Sequence, residues 1–255
     1  MSAAPHSSSD AARFFDRTSA TYRAKYGTES PFHHYYFNER LEKATEGLDL
    51  AGCTVLDIGS GTGNLYEHLA PRSPGMRFLA SDVSAGMLAQ SPVPEADRFV
   101  GHAYEIPFPV QAFDAVFMLG VTTYLSPEEL ARNLAFIGRA LKPGGHAVIT
   151  FTHARGLDTW SRRLAKLPLR LLGRRDKVLS SGLRTHTYSV ADATRIVGAH
   201  LRIDRCSFHN HTIFPFNLLV PRASIRLAER IDRLPADHWL HRWLSSDLVL
   251  HCSRP

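Results

Sequence analysis

The sequence contains few cysteines, and they follow no recognisable pattern. Only Cys53, Cys206 and Cys252 occur among the 255 residues, and no Cys-x-x-Cys pair is present. Cysteines scattered in this way argue against a disulfide framework and against a cysteine-ligated zinc site. We therefore expect the three thiols to act as small buried hydrophobic groups.

A long uninterrupted apolar run is also missing. The longest run, residues 213–220, is broken by Pro215 and Asn217, and it is far shorter than the roughly 20 residues that a membrane-spanning helix needs. Residues 1–9 are small and polar with no apolar segment behind them, so they do not resemble a signal peptide. These absences predict a cytoplasmic protein folded as one domain over residues 1–255.

Acidic residues are scarce in one segment, although the chain as a whole carries a net charge of only +6. Residues 154–184 contain nine Lys or Arg residues against two Asp, so this segment carries +7 and leaves about −1 for the rest. Leucines and Trp160 alternate with its arginines. This pattern predicts an amphipathic helix that touches an anionic membrane, clamps an acidic substrate, or forms a lid with an apolar inner face.

Strand-like and helix-like patterns alternate through most of the chain. This alternation predicts a parallel sheet with helices on both faces, completed by an antiparallel pair at its edge. The predicted strands are 54–58, 77–82, 98–100, 113–119, 145–152, 201–208 and 247–252, and the predicted helices are 11–26 (capped by Asp10), 32–47, 64–69, 84–90, 127–141 and 221–243.

A glycine-rich turn follows the first predicted strand. Residues 55–65 read Val-Leu-Asp-Ile-Gly-Ser-Gly-Thr-Gly-Asn-Leu, with Asp57 inside the strand and glycines at 59, 61 and 63. Glycine supplies positive φ without steric cost and lets a ligand lie directly on the backbone, so the turn predicts a nucleotide-like ligand. The dinucleotide fingerprint would place its third glycine at position 64, which is Asn64.

The pattern Asp57-x-Gly59-x-Gly61-x-Gly63 resembles the first motif of class I S-adenosylmethionine (SAM) methyltransferases. Residues 78–88, 101–108 and 141–145 resemble later motifs of the same family in the same order, and the subgroup is similar to the type 11 methyltransferases of quinone and natural-product biosynthesis. The resemblance implies a Rossmann-like, doubly wound, mostly parallel seven-stranded sheet with an antiparallel edge strand. It also implies a SAM-binding core at 54–152, an N-terminal helical cover at 10–47 and substrate-side lids at 154–184 and 213–243.

Several residues take cofactor-binding roles by this resemblance, which implies SAM as methyl donor and no metal. Asp82 ends the second strand, where a carboxylate accepts hydrogen bonds from the ribose diol, and Val83 follows it. Met87 lies under the adenine. His102 replaces the family's usual Asp and keeps only one acceptor, while the Ala103 N–H reaches a ring nitrogen. The set is Asp57, Gly59, Gly61, Gly63, Asp82, Val83, Met87, His102, Ala103 and Leu119, the last of which faces the methyl group.

The family's usual histidine is missing after the fourth strand, where Thr123 and Tyr124 stand. If the reaction needs a base, the candidates by position are Tyr124, His153 after the fifth strand, and His34 on the second helix. Together, the amphipathic basic segment 154–184 and the apolar segment 213–221 favour a bulky apolar or lipid-like small-molecule acceptor, methylated at O, N or C. They also allow peripheral membrane contact, and no nucleic acid is expected as a partner. The alternatives are an RNA or protein methyltransferase docking through 154–184, and a non-catalytic SAM-binding scaffold.

Overall fold

A single seven-stranded sheet organises the chain. The computed structural model describes residues 8–23, 30–162, 164 and 185–255. Most of the basic segment 154–184, for which an amphipathic helix was predicted, therefore lies outside the described residues. The strand order is β3-β2-β1-β4-β5-β7-β6. The strands are β1 (Thr54–Ile58), β2 (Arg77–Asp82), β3 (Arg98–Val100), β4 (Phe113–Met118), β5 (Leu141–Thr152), β6 (Arg202–His209) and β7 (Asp247–Ser253).

All neighbouring strands pair in parallel except those that pair with β7. This strand runs antiparallel to both β5 and β6, so it lies one position inside the β6 edge. The mostly parallel sheet with an antiparallel strand near one edge confirms the predicted fold class. As a result, the carboxyl ends of β1, β2, β4 and β5 and the first residue of β7 reach the same edge of the sheet.

The central strands are runs of apolar residues in the sequence because both faces of the sheet are buried. Val55 and Leu56 of β1 and Phe117 of β4 are completely buried, as expected for strands covered on both sides. Core clusters lie on the two faces of the sheet, one centred on α5 residues such as Leu134 and one that includes Leu41 of α2. The helices are α1 (Ser8–Tyr22), α2 (Pro31–Thr45), α3 (Asn64–Leu69), α4 (Ala85–Ala89), α5 (Pro127–Ala140), α6 (Val190–Gly198), α7 (Phe216–Leu219), α8 (Pro221–Asp232) and α9 (Trp239–Leu244).

Two helix predictions need correction. Helix α1 begins at Ser8, so Asp10 lies in its first turn and does not cap it; there it pairs with Arg13. The helical insertion predicted over 221–243 is two helices, because Pro235 falls between α8 and α9 and cannot donate a backbone hydrogen bond. Among the described residues, no helix is both long enough and apolar enough to cross a membrane.

Candidate functional site

A cavity of about 390 Å³ opens at the carboxyl ends of β1, β2 and β4, within the usual size range of small-molecule sites. This is the edge at which open α/β sheets bind ligands. Of the sequence-predicted residues, the following line it: Asp57, Gly59, Gly61, Asp82, Val83, Met87, His102, Ala103, Leu119 and Tyr124.

The glycine loop is held between two other loops. Gly59, Gly61 and Gly63 all have positive φ, at 71°, 56° and 80°. A Cβ at Gly59 would stand 2.2 Å from Cγ2 of Val121, and one at Gly63 would stand 2.4 Å from Oγ of Ser91. Side chains are therefore excluded at both positions. Gly63 precedes α3 and contacts the loop after α4, so it shapes the turn without lining the cavity.

Asp82 fixes the loop through its carboxylate. The backbone N–H of Gly61 donates to Oδ2, and that of Ser84 donates to Oδ1, both at 2.8 Å. Burial raises the pKa of Asp82 to about 6, while these backbone hydrogen bonds act in the opposite direction. Because each carboxylate oxygen has a second lone pair, Asp82 can still accept hydrogen bonds from a ligand diol in the cavity. The residues at this end of the cavity therefore fit a nucleoside-like ligand.

A second acid, Asp57, lies at the carboxyl end of β1 and is 4% exposed. Burial raises its pKa to about 7, and the positive charge of Arg40 acts in the opposite direction. Arg40 belongs to α2 and lines the same cavity. Its guanidinium lies so close to Gly120 that a Cβ there would stand 2.4 Å from Nη1. The part of the cavity near the glycine loop thus contains two acids, Asp57 and Asp82, and one basic group, Arg40.

The loop after β3 forms another wall. Ala103 is buried and begins a 3₁₀ turn that ends at Glu105. The His102 ring stacks on Tyr104, with ring centroids 4.8 Å apart and an angle of 14° between the planes. Met87 of α4 is also buried and lies beside Gly61. His102 and Met87 thus offer flat or flexible surfaces to a ligand ring.

Helix α1 covers the cavity and is anchored by Asp16. Oδ1 of Asp16 accepts from the Ser84 hydroxyl at 2.6 Å and from the Gly86 N–H at 2.9 Å. The helix thereby brings Phe15 against Tyr124, with their rings edge-to-face at 5.3 Å. Both residues line the cavity. The loop that follows Asp82 therefore also positions the aromatic cover.

A buried carboxylate that the sequence analysis missed closes the far side. Asp247, the first residue of β7, is 7% exposed and lines the cavity. Its Oδ2 accepts from the Ser246 hydroxyl at 2.9 Å, and it also hydrogen-bonds Tyr36 and Thr152. Burial raises the pKa of Asp247, and burial next to Asp247 raises that of the Tyr36 phenol well above its usual value.

Three predicted site residues lie outside the cavity. Besides Gly63, these are His34, which is exposed on α2 and contacts Asn38, and His153. The His153 side chain is 2% exposed, and its Nδ1 lies 3.4 Å from the Ser245 carbonyl oxygen. Burial lowers its pKa. Neither histidine therefore lines the cavity in which a reaction could occur.

Tyr124 does line the cavity, but burial raises its pKa to about 12. At neutral pH it is a phenol that can donate a hydrogen bond and cannot accept a proton as a base. Asp247 is the better placed basic group. No motif marks it in the sequence, because its position depends on β7 inserting between β5 and β6.

Comparison with known proteins agrees with this geometry. A family model described as a methyltransferase domain matches residues 55–145. The chain is 30% identical over 122 residues to an uncharacterized methyltransferase of Mycobacterium tuberculosis H37Rv (47% of this chain, 48% of that protein). It is 36% identical over 98 residues to a demethylmenaquinone methyltransferase of Chlorobaculum parvum (37% and 39%), and 28% identical over 132 residues to a fatty-acid O-methyltransferase of Mycolicibacterium smegmatis (50% and 47%).

The chain thus spans about half or less of the length of these curated relatives. Among solved structures, the fold is similar to that of magnesium protoporphyrin IX methyltransferase from Synechocystis with bound S-adenosylhomocysteine. The structural alignment includes 97% of this chain and 99% of that protein. The TM-score is 0.64 at 14% sequence identity. These matches confirm the resemblance in the motifs and the predicted fold.

Substituting alanine for Gly59 tests the close approach of the loop to Val121. Gly47 has a similar φ of 78° but lies in open space, with no atom within 4 Å of the position that a Cβ would take, whereas a Cβ at Gly59 meets Val121. Both Gly→Ala variants incur about 1–2 kcal/mol for the left-handed backbone, and Gly59→Ala loses a further ~1–3 kcal/mol through overpacking. Urea unfolding of the two variants measures the difference; equal losses would contradict the packing described.

Proposed function

We propose that this chain, which carries a class I SAM-dependent methyltransferase domain over residues 55–145, transfers a methyl group from SAM to a small apolar acceptor. One observation carries the proposal. The glycine loop, which is hydrogen-bonded to Asp82, lines the same cavity as the aromatic residues of the α1 cover and the buried acid Asp247. A cofactor-binding end and an acceptor end therefore adjoin each other. Alignment of two reactants in a shared, enclosed space is the main requirement of such a transfer.

In the proposed complex, several residues near the glycine loop each contact a different part of SAM. When bound, SAM supplies a methyl group on a positively charged sulfur. Asp82 accepts from the ribose hydroxyls, and the Ala103 N–H and the Met87 side chain contact the adenine. Arg40 of α2 offers positive charge to the carboxylate of the amino-acid part, and Asp57 offers negative charge to its amino group. The supporting facts are that all five residues line the cavity and that Arg40 lowers the pKa of Asp57.

Asp247 is the proposed general base. Its carboxylate lies in the cavity, and the hydroxyls of Tyr36, Thr152 and Ser246 orient it. Burial raises its pKa and so makes the carboxylate a stronger proton acceptor than an exposed aspartate. Asp247 takes the proton of an acceptor hydroxyl or acidic carbon. The nearby His209, whose Nε2 is 3.9 Å from Oδ2 of Asp247, stays neutral because burial lowers its pKa well below its usual value.

The walls favour an apolar, lipid-like acceptor. Phe15, Tyr22, Phe37 and Tyr124 line the same cavity as the glycine loop and Asp247. Apolar walls with a few placed polar groups are typical of sites for small organic molecules. The names of two relatives point the same way, since one acts on fatty acids and another on demethylmenaquinone.

Binding of SAM to the purified chain tests the cofactor assignment. We expect calorimetry to show micromolar binding of SAM and no comparable binding of NAD. Asp82→Asn keeps the size of the side chain but removes its charge, and should weaken binding at least about tenfold, the loss of ~1.5–3 kcal/mol expected for hydrogen bonds to a charged group. Asp237→Asn, at an exposed position of the loop before α9, is the matched control. Tighter binding of NAD than of SAM would refute the assignment.

Removal of the proposed base tests the reaction. The chain is assayed for transfer from labelled SAM to demethylmenaquinone in its reduced quinol form, to a bacterial lipid extract and to a long-chain fatty acid. A quinol must lose a proton on methylation, whereas a fatty acid is already a carboxylate at neutral pH and needs no base. With the quinol, Asp247→Asn should lower kcat by about 10²–10⁴-fold, whereas Asp237→Asn should not. Because the base works only when deprotonated and burial raises its pKa, the wild-type rate should fall as pH drops through a value above the usual 3.9 of aspartate. An unchanged rate for Asp247→Asn with an acceptor that loses a proton would exclude it as the base.

We further propose that an apolar acceptor reaches the site from an anionic lipid surface. All three tryptophans, Trp160, Trp239 and Trp243, are about 60% exposed. Trp239 and Trp243 share α9. The segment that carries Trp160 contacts the residues just before α7: the Arg162 guanidinium lies 5.0 Å from the centroid of the Phe214 ring, and the Phe214 N–H donates to Asp158. Exposed aromatic rings beside arginines are typical of proteins that insert into the headgroup region.

Helix α8 and the short helix α7 add to this surface. Leu219 of α7 is 72% exposed, and α8 exposes Arg222, Arg226 and Arg230. The two helices pack against each other, so apolar and basic groups occur side by side. Charge complementarity therefore favours a lipid bilayer with anionic headgroups as the partner of this surface.

Sedimentation with vesicles tests the lipid contact. We expect binding to phosphatidylglycerol-containing vesicles at low salt, weaker binding at high salt, and little binding to pure phosphatidylcholine. The double variant Trp239→Ala/Trp243→Ala should lose most of the bound fraction, while Val110→Ala, at another exposed apolar position, should retain it. Absence of co-sedimentation at low salt would remove this part of the proposal.

A further inference from the structure

A buried cluster of metal-binding side chains lies behind α2, outside the cavity described above. It brings together His211 after β6, Asp232 at the end of α8 and His241 of α9. His211 is 1% exposed and His241 6%, and the Asp232 side chain is 19% exposed. Three residues separated along the chain, two of them histidines, thus meet in an almost dry interior with one carboxylate at its rim.

His211 lies between the other two residues. Its Nε2 is 3.1 Å from Nδ1 of His241, and its Nδ1 is 3.1 Å from Oδ1 of Asp232. Since a single ion takes only one of the two ring nitrogens, the relevant distance is that among one donor atom from each residue, and these three atoms lie within 4.8 Å of one another. Bonds of about 2.0–2.1 Å to a tetrahedral zinc ion place ligand atoms roughly 3.3 Å apart, so the side chains draw closer when the ion binds.

Two of these donor atoms have only each other. Nδ1 of His211 and Oδ1 of Asp232 are buried and form an ion pair at 3.1 Å, and neither has another hydrogen-bond partner among the described residues. Buried polar atoms need partners, and a cation would coordinate both of these atoms.

A second carboxylate, Glu39 of α2, lies beside the cluster. It interacts electrostatically with Asp232, and its Oε2 accepts from the Asn210 N–H at 3.0 Å. Oδ2 of Asp232 accepts from the Tyr35 hydroxyl at 3.2 Å. Two neighbouring carboxylates repel each other, and a cation beside them relieves this repulsion. The hydrogen bond from Tyr35 also fixes the orientation of Asp232, as is usual around metal ligands.

We propose that His211, Asp232 and His241 bind one divalent transition-metal ion of the zinc class. Two imidazoles and one carboxylate favour zinc and its first-row neighbours over calcium or magnesium, which prefer all-oxygen sites. The three ligands come from separate segments, so the ion joins α8, α9 and the segment after β6. These segments contact Tyr35 of α2 through Asp232, and an adjacent face of α2 carries Tyr36, Phe37 and Arg40 into the cavity.

Metal binding by the chelator-treated chain tests this inference without any methyl transfer. We expect calorimetry to show one Zn²⁺ per chain, Co²⁺ to give visible absorption bands typical of four-coordinate N/O ligation, and Zn²⁺ to raise the unfolding temperature by several degrees. His241→Asn and Asp232→Asn should each weaken binding at least about tenfold. His146→Ala, at an exposed histidine of β5, is the control for surface binding and should leave it unchanged.

Two outcomes would overturn the metal site. One is the absence of stoichiometric Zn²⁺ binding by the folded wild-type chain, which would leave the cluster as a hydrogen-bonded contact between helices. The other is equal loss of affinity in His146→Ala and His241→Asn, which would assign the binding to surface histidines. Circular dichroism of each variant identifies loss of fold, and the wild-type titration remains decisive if a variant does not fold. Because no step involves SAM, failure here is distinct from failure of the proposed function.

Discussion

The carboxylate of Asp82 is the interaction on which the site depends. It accepts from the backbone N–H groups of Gly61 and Ser84 and so ties the glycine loop after β1 to the loop after β2. Ser84 and Gly86 then hold Asp16, which anchors the α1 cover. Backbone donors give this arrangement its rigidity, since they cannot rotate away as side chains can. Ligand binding and closure of the cavity therefore share one hydrogen-bond network.

Helix α2 connects two chemically different regions. One face contributes Tyr36 and Arg40 to the cavity, and the adjacent face contributes Tyr35 and Glu39 to the buried polar cluster beneath α8 and α9. A helix with polar contacts on two faces has little freedom to shift, because the contacts on each face fix its rotation. This explains how a helix whose sequence shows only weak amphipathicity keeps a defined position over the sheet.

Local patterns predicted most of the fold, and long-range contacts account for what they missed. The bounds of β1, β2, β3 and α3 follow directly from apolar runs and glycine positions, and most of the proposed cofactor residues sit beside those strands. Asp247 and the cluster around His211 carry no local signal, since only tertiary packing brings their partners together. His153 was predicted from its position after β5, but β7 and Ser245 cover it.

The place of β7 in the sheet also has a consequence for the order of folding. Strand β6 precedes β7 along the chain, yet its described pairing partner is β7, which separates it from β5. During synthesis β6 emerges with no neighbour to pair with, while the β5 edge stays open. Both edges must remain unpaired until one later strand enters between them, which makes this insertion a high-contact-order step. The wall that holds Asp247 is therefore among the last parts of the sheet to form.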